Sequence, residues 1–183
     1  MTNVTAEASD GTNNYGVLNK GCTSIMTNVT ADASGGTFAV GVYNEGNSPD
    51  MNNVTAKASG AVSQNYGVFN YSSSPVMNNV TATASGGDVS YGVINSTSAS
   101  PVMTYLTAEA SGATTNIGVF NIGSSTAKID HSVISCADKT VQNETGCYAY
   151  IANTRVDGGG IYNGGSLTCF HVYDGSYNAY TCP

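Results

Sequence analysis

The chain of 183 residues has no tryptophan and few charges, with five Lys or Arg and 12 Asp or Glu residues. Arg155 is the single arginine. Nucleic-acid binding needs a basic surface to neutralise phosphates, so the net charge of −7 argues against a nucleic-acid partner. Since no apolar run approaches the roughly 20 residues of a membrane-spanning helix, we also expect no membrane insertion.

What is present is a repeat. The motif MNNVTAKASG at Met51 recurs in related form from Met1, Met26, Met77 and Met103, at spacings of 25, 25, 26 and 26 residues. A second motif, Gly-Val-x-Asn, follows each copy. A fixed period of this length predicts a solenoid in which each unit acquires a core only by stacking on its neighbours. Glycine and β-branched residues dominate without an apolar face at a helical period, so the units consist of strands.

One unit contains three predicted short strands and three turns. Asn79 suits a one-residue corner because asparagine tolerates the left-handed conformation, and Pro75 fixes the direction of another turn. Period-2 alternation predicts which side chains face inward. The predicted inward positions are Met51, Val54, Ala56, Ala58, Tyr66 and Val68, with their equivalents in other units. The predicted outward positions include Thr55 and Lys57.

The N-V-T-A-x-A-S-G and Y-G-V-x-N units with S-S-S-P turns resemble right-handed parallel β-helix proteins of the pectin-lyase-like superfamily, especially bacterial members. The resemblance implies an all-β, single-stranded, right-handed parallel β-helix of about seven coils over residues 1–167. The ending from Cys169 to Cys182 resembles the tail that closes many such proteins, and we expect a β-hairpin cap over residues 168–183. The superfamily includes polysaccharide lyases and hydrolases, adhesins and tailspikes, so the fold alone does not give the function.

Catalysis in that superfamily uses Asp clusters, with Arg or His, on the first strand ladder. The corresponding outward positions here carry no carboxylate, so we predict no catalytic residue, no cofactor and no metal. These outward positions are Leu18, Tyr43, Phe69, Ile94, Phe120, Gln142 and Tyr162. The apolar members form a stripe, which indicates either a polysaccharide-binding or self-association surface or a purely structural contact.

Four of the five cysteines lie near the C-terminus, and none forms a C-x-x-C pair, which argues against zinc. Cys169/Cys182 and Cys136/Cys147 are candidate disulfides, which would favour an extracellular or cell-surface location; the alternative is reduced, buried thiols. No signal peptide is visible and Met1 falls inside a repeat, so we expect a fragment or an uncapped chain.

The main functional prediction is a non-enzymatic structural or binding β-solenoid that interacts with polysaccharide or with itself, as a homo-oligomer or by end-to-end stacking. The alternative is a carbohydrate-active enzyme, for which the Glu7–Asp32 neighbours are a weak candidate compared with a solvated edge. A third reading is ice binding by an outward threonine column that includes Thr30 and Thr55. His131 falls in the corner column, where we expect a turn role.

Overall fold

The computed structural model describes residues 1–183, and its regular elements are all β-strands. They form two sheets in which every pairing between named strands is parallel. Sheet A has 11 strands: β1 (Thr2–Ala8), β3 (Ile25–Ser34), β5 (Asp50–Ser59), β7 (Val76–Ser85), β9 (Val102–Thr104), β10 (Thr107–Ser111), β12 (Thr126–Asp130), β13 (Val133–Cys136), β15 (Tyr148–Ala152), β16 (Arg155–Gly158) and β18 (Ser166–Phe170). Sheet B has seven strands: β2 (Asn13–Lys20), β4 (Phe38–Glu45), β6 (Gln64–Tyr71), β8 (Val89–Ser96), β11 (Thr115–Asn121), β14 (Lys139–Asn143) and β17 (Ile161–Asn163).

The chain alternates between the two sheets and therefore coils as a parallel β-solenoid, which confirms the predicted class of fold. About seven coils were predicted. The seven strands of sheet B mark seven rungs joined by six pairings, so about six turns separate the first rung from the last. The structure contains no helix that could cross a membrane.

The predicted asparagine corners are confirmed. Asn28, Asn53 and Asn79 have φ values of 53–54°, and His131 in the same column has φ 47°. The number of strands differs from the prediction in the early rungs. Backbone pairing continues through the corner in β3, β5 and β7, so each of these rungs has two strands rather than three. The corner separates two strands only from β9 and β10 onwards.

The interior is formed by columns of identical or similar side chains. Met51, Val54, Ala56 and Val68 are buried as predicted, and their equivalents belong to the same hydrophobic core. Each side chain lies above its counterpart because the strands pair in strict register, for example Met51 with Met77. Burying these apolar columns is the main stabilising contribution available to a chain with so few charges.

Asparagines at the ends of the sheet B strands form a ladder inside the solenoid. The amide nitrogens of Asn19, Asn44 and Asn70 each donate to the amide oxygen of the next rung's asparagine at 2.9 Å. These side chains are almost completely buried, so their mutual hydrogen bonds offset the cost of removing the amides from water. The sequence indicated that these asparagines end a strand, but not that they bond to one another.

The C-terminal tail packs against the last rungs. The expected hairpin differs in its first arm, because Thr168–Phe170 belong to β18, which pairs in parallel with β15. One antiparallel bridge, between Tyr173 and Ala179, remains of the predicted hairpin. The Tyr180 hydroxyl accepts a hydrogen bond from the backbone N–H of Ile161.

The two candidate disulfides have different outcomes. Cys169 and Cys182 are bonded, with their Cα atoms 6.4 Å apart, and this bond ties the tail to β18. Cys136 and Cys147 are free and buried, so the predicted second disulfide is wrong. Cys136 ends β13 in sheet A, and Cys147 lies just before β15. Both act as small apolar side chains, because both are buried.

We expect Asn70→Ala to lower the free energy of unfolding by about 2–4 kcal/mol, because the buried Asn44 amide nitrogen loses its oxygen acceptor and the buried Asn95 amide oxygen loses its donor. Asn78→Ala is the matched control. Asn78 is exposed and makes one long hydrogen bond of 3.5 Å, so its loss should cost less than about 0.5 kcal/mol. Urea unfolding of both variants measures the difference. Equal costs would contradict a stabilising role for the buried ladder.

Candidate functional site

The predicted stripe lies on the outer side of sheet B, but its members differ in exposure. Leu18 and Tyr162 are 52% and 50% exposed, whereas Tyr43, Phe69 and Phe120 are half-buried and Ile94 is buried. The stripe is thus partly covered by neighbouring side chains of its own sheet.

Tyr66 explains much of this covering. It is buried as predicted, yet it contacts Phe69, with ring centroids 5.5 Å apart, instead of the methionine and valine core. The prediction that Tyr66 faces the interior is therefore wrong. Gly67 and Val68 both face inward, so the alternation shifts by one residue and Tyr66 falls on the outer side.

The reason for glycine at this position is the thin cross-section. A Cβ atom on Gly67 would lie 2.8 Å from the backbone nitrogen of Thr83 in the opposing sheet and 2.6 Å from the carbonyl oxygen of Gly92. Gly16, Gly41 and Gly92 meet the opposing sheet in the same way. These glycines serve the contact between the two sheets, and they are not part of a flat outer surface.

Eight aromatic rings pack against one another across five strands of sheet B, and we call this surface the aromatic face. Its members are Tyr15, Phe38, Tyr43, Tyr66, Phe69, Tyr71, Tyr91 and Phe120. Burial raises the pKa of Tyr43 to about 12, and the nearby Glu45 carboxylate adds to the effect. Burial likewise raises the pKa values of Tyr66 and Tyr91, so these phenols stay neutral to a higher pH than an ordinary tyrosine.

A second surface lies on sheet A in the later rungs, where the sequence analysis proposed no site. A groove of about 440 Å³ runs over the outer side of β9, β12, β15 and β18. Its shape follows from the register: the small Ala152 lies between Asp130 and Phe170 in one column, beside Tyr150 in the next. Tyr150 is 45% exposed and Phe170 is 60% exposed, so both rings are accessible.

Across the corner column lies a second groove of about 340 Å³. Asp130 lines the first groove, and its carboxylate accepts hydrogen bonds from two residues of the second groove, His131 through Nδ1 at 2.9 Å and Asn153 through its amide at 3.0 Å. Arg155 donates to the Tyr177 hydroxyl at 3.2 Å and lies against its ring. The two grooves lie on either side of the corner, linked by the bonds of Asp130 to His131 and Asn153, and we call them together the corner surface.

Sequence reasoning missed the corner surface because its residues come from the degenerate repeats. The available indication was a rise in aromatic residues between Tyr148 and Tyr180, but which rings share a face depends on the register of shortened rungs. His131 does occupy the corner that was predicted for it, and there it also contacts Asp130 and Tyr105.

The structure gives less support to the other candidate sites, which are the threonine column, the Glu7–Asp32 pair and a metal site. The threonine column is aligned, with Thr30 paired to Thr55, but the next outward column pairs Asp32 with Lys57, so a second regular rank is absent. Glu7 and Asp32 line a polar depression, as expected of a solvated edge. No group of three or more His, Cys, Asp or Glu side chains is arranged to hold a metal ion.

We expect Gly67→Ala to destabilise the fold by about 2–3 kcal/mol, because the added methyl group overlaps backbone atoms that cannot rotate away. Gly21→Ala is the control: nothing lies within 4 Å, and only its φ of 62° opposes a side chain, at a cost of about 1 kcal/mol. Thermal unfolding measures both. A larger loss in Gly21→Ala would contradict the close contact of the two sheets.

The Asp130 carboxyl should make the stability of the fold depend on pH. The Asn153 hydrogen bond, followed by those from His131, holds the pKa of the Asp130 carboxyl below its usual value. A lowered folded pKa means that the carboxylate stabilises the fold above its unfolded pKa of about 4, and that this contribution is lost as the pH falls through the folded pKa.

We therefore expect Asp130→Asn to reduce the drop in urea midpoint between pH 5 and pH 3. Asp50→Asn removes an exposed carboxylate that accepts no hydrogen bond and should leave the drop unchanged. An unchanged drop in Asp130→Asn would show that its hydrogen bonds do not favour the ionised form.

In comparisons with known proteins, no family model, no curated protein and no solved structure matches the chain. The fold and the two surfaces therefore carry the functional argument alone.

Proposed function

We propose that the chain is a non-enzymatic β-solenoid that binds polysaccharide through its corner surface. The observation that carries this is the pairing of accessible aromatic rings with hydrogen-bonding side chains in open grooves. Tyr150 and Phe170 expose their rings beside Thr168, Asp130 and Lys128. A pyranose ring has C–H groups on its face and hydroxyl groups on its edge, and such a mixed surface matches both.

The corner surface suits a sugar better than the originally predicted stripe. Rings on the aromatic face meet one another mostly edge to face, as Tyr66 and Phe69 do at 86°, so their flat sides are covered. Tyr105 and Tyr177 on the corner surface are 57% and 71% exposed. Arg155 and Lys128 lie at opposite sides of the corner and supply donors for hydroxyl or carboxylate groups of the ligand.

We also propose where the protein is located and which superfamily it belongs to. The Cys169–Cys182 disulfide supports an extracellular or cell-surface protein, since such bonds persist in oxidising compartments. We propose a right-handed coil, because crossover connections between parallel strands are almost always right-handed. Membership of the pectin-lyase-like superfamily and a bacterial source rest on the repeat motifs.

The test is native affinity electrophoresis in gels that contain polygalacturonate, alginate or a neutral β-glucan. We expect at least one to retard the wild-type chain, and Tyr150→Ala and Phe170→Ala each to weaken binding about tenfold, the loss expected for one aromatic contact. Tyr162→Ala is the matched control, with a ring that is 50% exposed on sheet B. Its binding should equal that of the wild type.

Absence of retardation in all three gels, or an equal loss in Tyr162→Ala, would refute the corner surface as the binding site. The same polymers serve to test the enzymatic alternative. New reducing ends or unsaturated uronates would favour it, and would point to the acid–base groups of the corner surface, Asp130 in the first groove and His131 and Arg155 in the second.

A further inference from the structure

We propose that the aromatic face of sheet B is an interface that joins two copies of this chain in a symmetric dimer. This inference is independent of the polysaccharide proposal, which concerns the opposite sheet.

The distribution of charge favours contact between two copies at this face. The chain carries a net charge of −7, so two copies repel each other over most of their surface. The aromatic face carries no net charge. Strands β6, β8 and β11 contain no charged residue, and the charges on β2 and β4, Lys20 and Glu45, pair with each other at 3.0 Å. This face is therefore a place where two copies meet without net repulsion.

The side chains on the outer side of the face also favour association. Between the strand ends, the outer side of these five strands carries Tyr, Phe, Leu, Val and Ile with few polar groups. The tyrosines whose pKa values are raised by burial remain neutral to high pH, so the face does not acquire charge. Large uncharged apolar patches on a chain otherwise rich in Asn, Ser and Thr mark an interaction surface.

The face is also large enough for a specific dimer. Five strands at about 4.8 Å spacing and about seven residues of 3.3 Å each give a face of about 24 Å by 23 Å, or roughly 550 Å². Two such faces bury roughly 1,100 Å² in total, which exceeds the approximately 1,000 Å² that a specific interface requires. Area alone does not set affinity, so a test of the dimer must cover a wide range of concentration.

The occupant is a second copy, because on a chain of net charge −7 an apolar face without net charge is matched by an identical face. A sugar would find few hydrogen-bond partners there, and it could not lie flat on rings that contact each other at angles of 86° and 88°. An isologous contact uses the same patch on both copies and closes at two.

The test is the molar mass of the full chain by light scattering after size exclusion, from about 5 to 500 µM. We expect the mass to rise from the monomer value of 18.6 kDa to twice that value over this range. Leu18→Lys, at a half-exposed edge of the aromatic face, should raise the dimer dissociation constant at least tenfold, and Phe69→Lys at its centre should raise it further.

Val76→Lys is the matched control. Val76 is 51% exposed, as Leu18 is 52% exposed, but it starts a strand of sheet A, so its replacement should leave the dimer unchanged. If Phe69→Lys fails to fold, Leu18→Lys decides the question. A chain that stays monomeric at 500 µM overturns the proposal. So does a dimer that Leu18→Lys leaves intact, or growth beyond two copies, which would indicate end-to-end stacking.

Discussion

Register between rungs is the constraint on which the rest of this molecule depends. Each inward side chain lies directly above its counterpart in the previous rung, as Met26 lies above Met51 and Val29 above Val54. At about 4.8 Å spacing, a column accepts only side chains of compatible size, and a polar residue must find its partner within the column. The narrow interior strengthens this constraint, because Gly41 already brings the two sheets into backbone contact.

Where the repeat decays, the register changes, and the surface changes with it. The asparagine ladder is interrupted between Asn95 and Asn121, whose facing amide atoms have no partner although the residues pair in β8 and β11. In the same rungs the corner divides the sheet A strand into β9 and β10. Later rungs are shorter, with 22 and then 20 residues between successive ladder asparagines instead of 25 or 26. The corner surface occupies this irregular part of the chain.

The features that depend on columns of identical residues were predicted correctly from the sequence. The solenoid, the inward Met51 and Val54 columns and the Asn53 corner all follow from period and conformational preference. Tyr66 was misplaced because simple alternation cannot show that Gly67 and Val68 both face inward; this depends on the distance between the sheets. The grooves beside Tyr150 could not be predicted, because they depend on which rung places Ala152 next to Phe170.

The direction of the asparagine amides has a consequence for the electrostatics of the whole rod. Inside, Asn19, Asn44 and Asn70 donate towards the C-terminal rungs. At the corner, Asn28, Asn53 and Asn79 donate towards the N-terminal rungs. The first four rungs thus contain two antiparallel files of amide dipoles with three bonds each, and their axial moments cancel. Such a rod can lengthen by further repeats of this type without these side chains building up a potential difference between its ends.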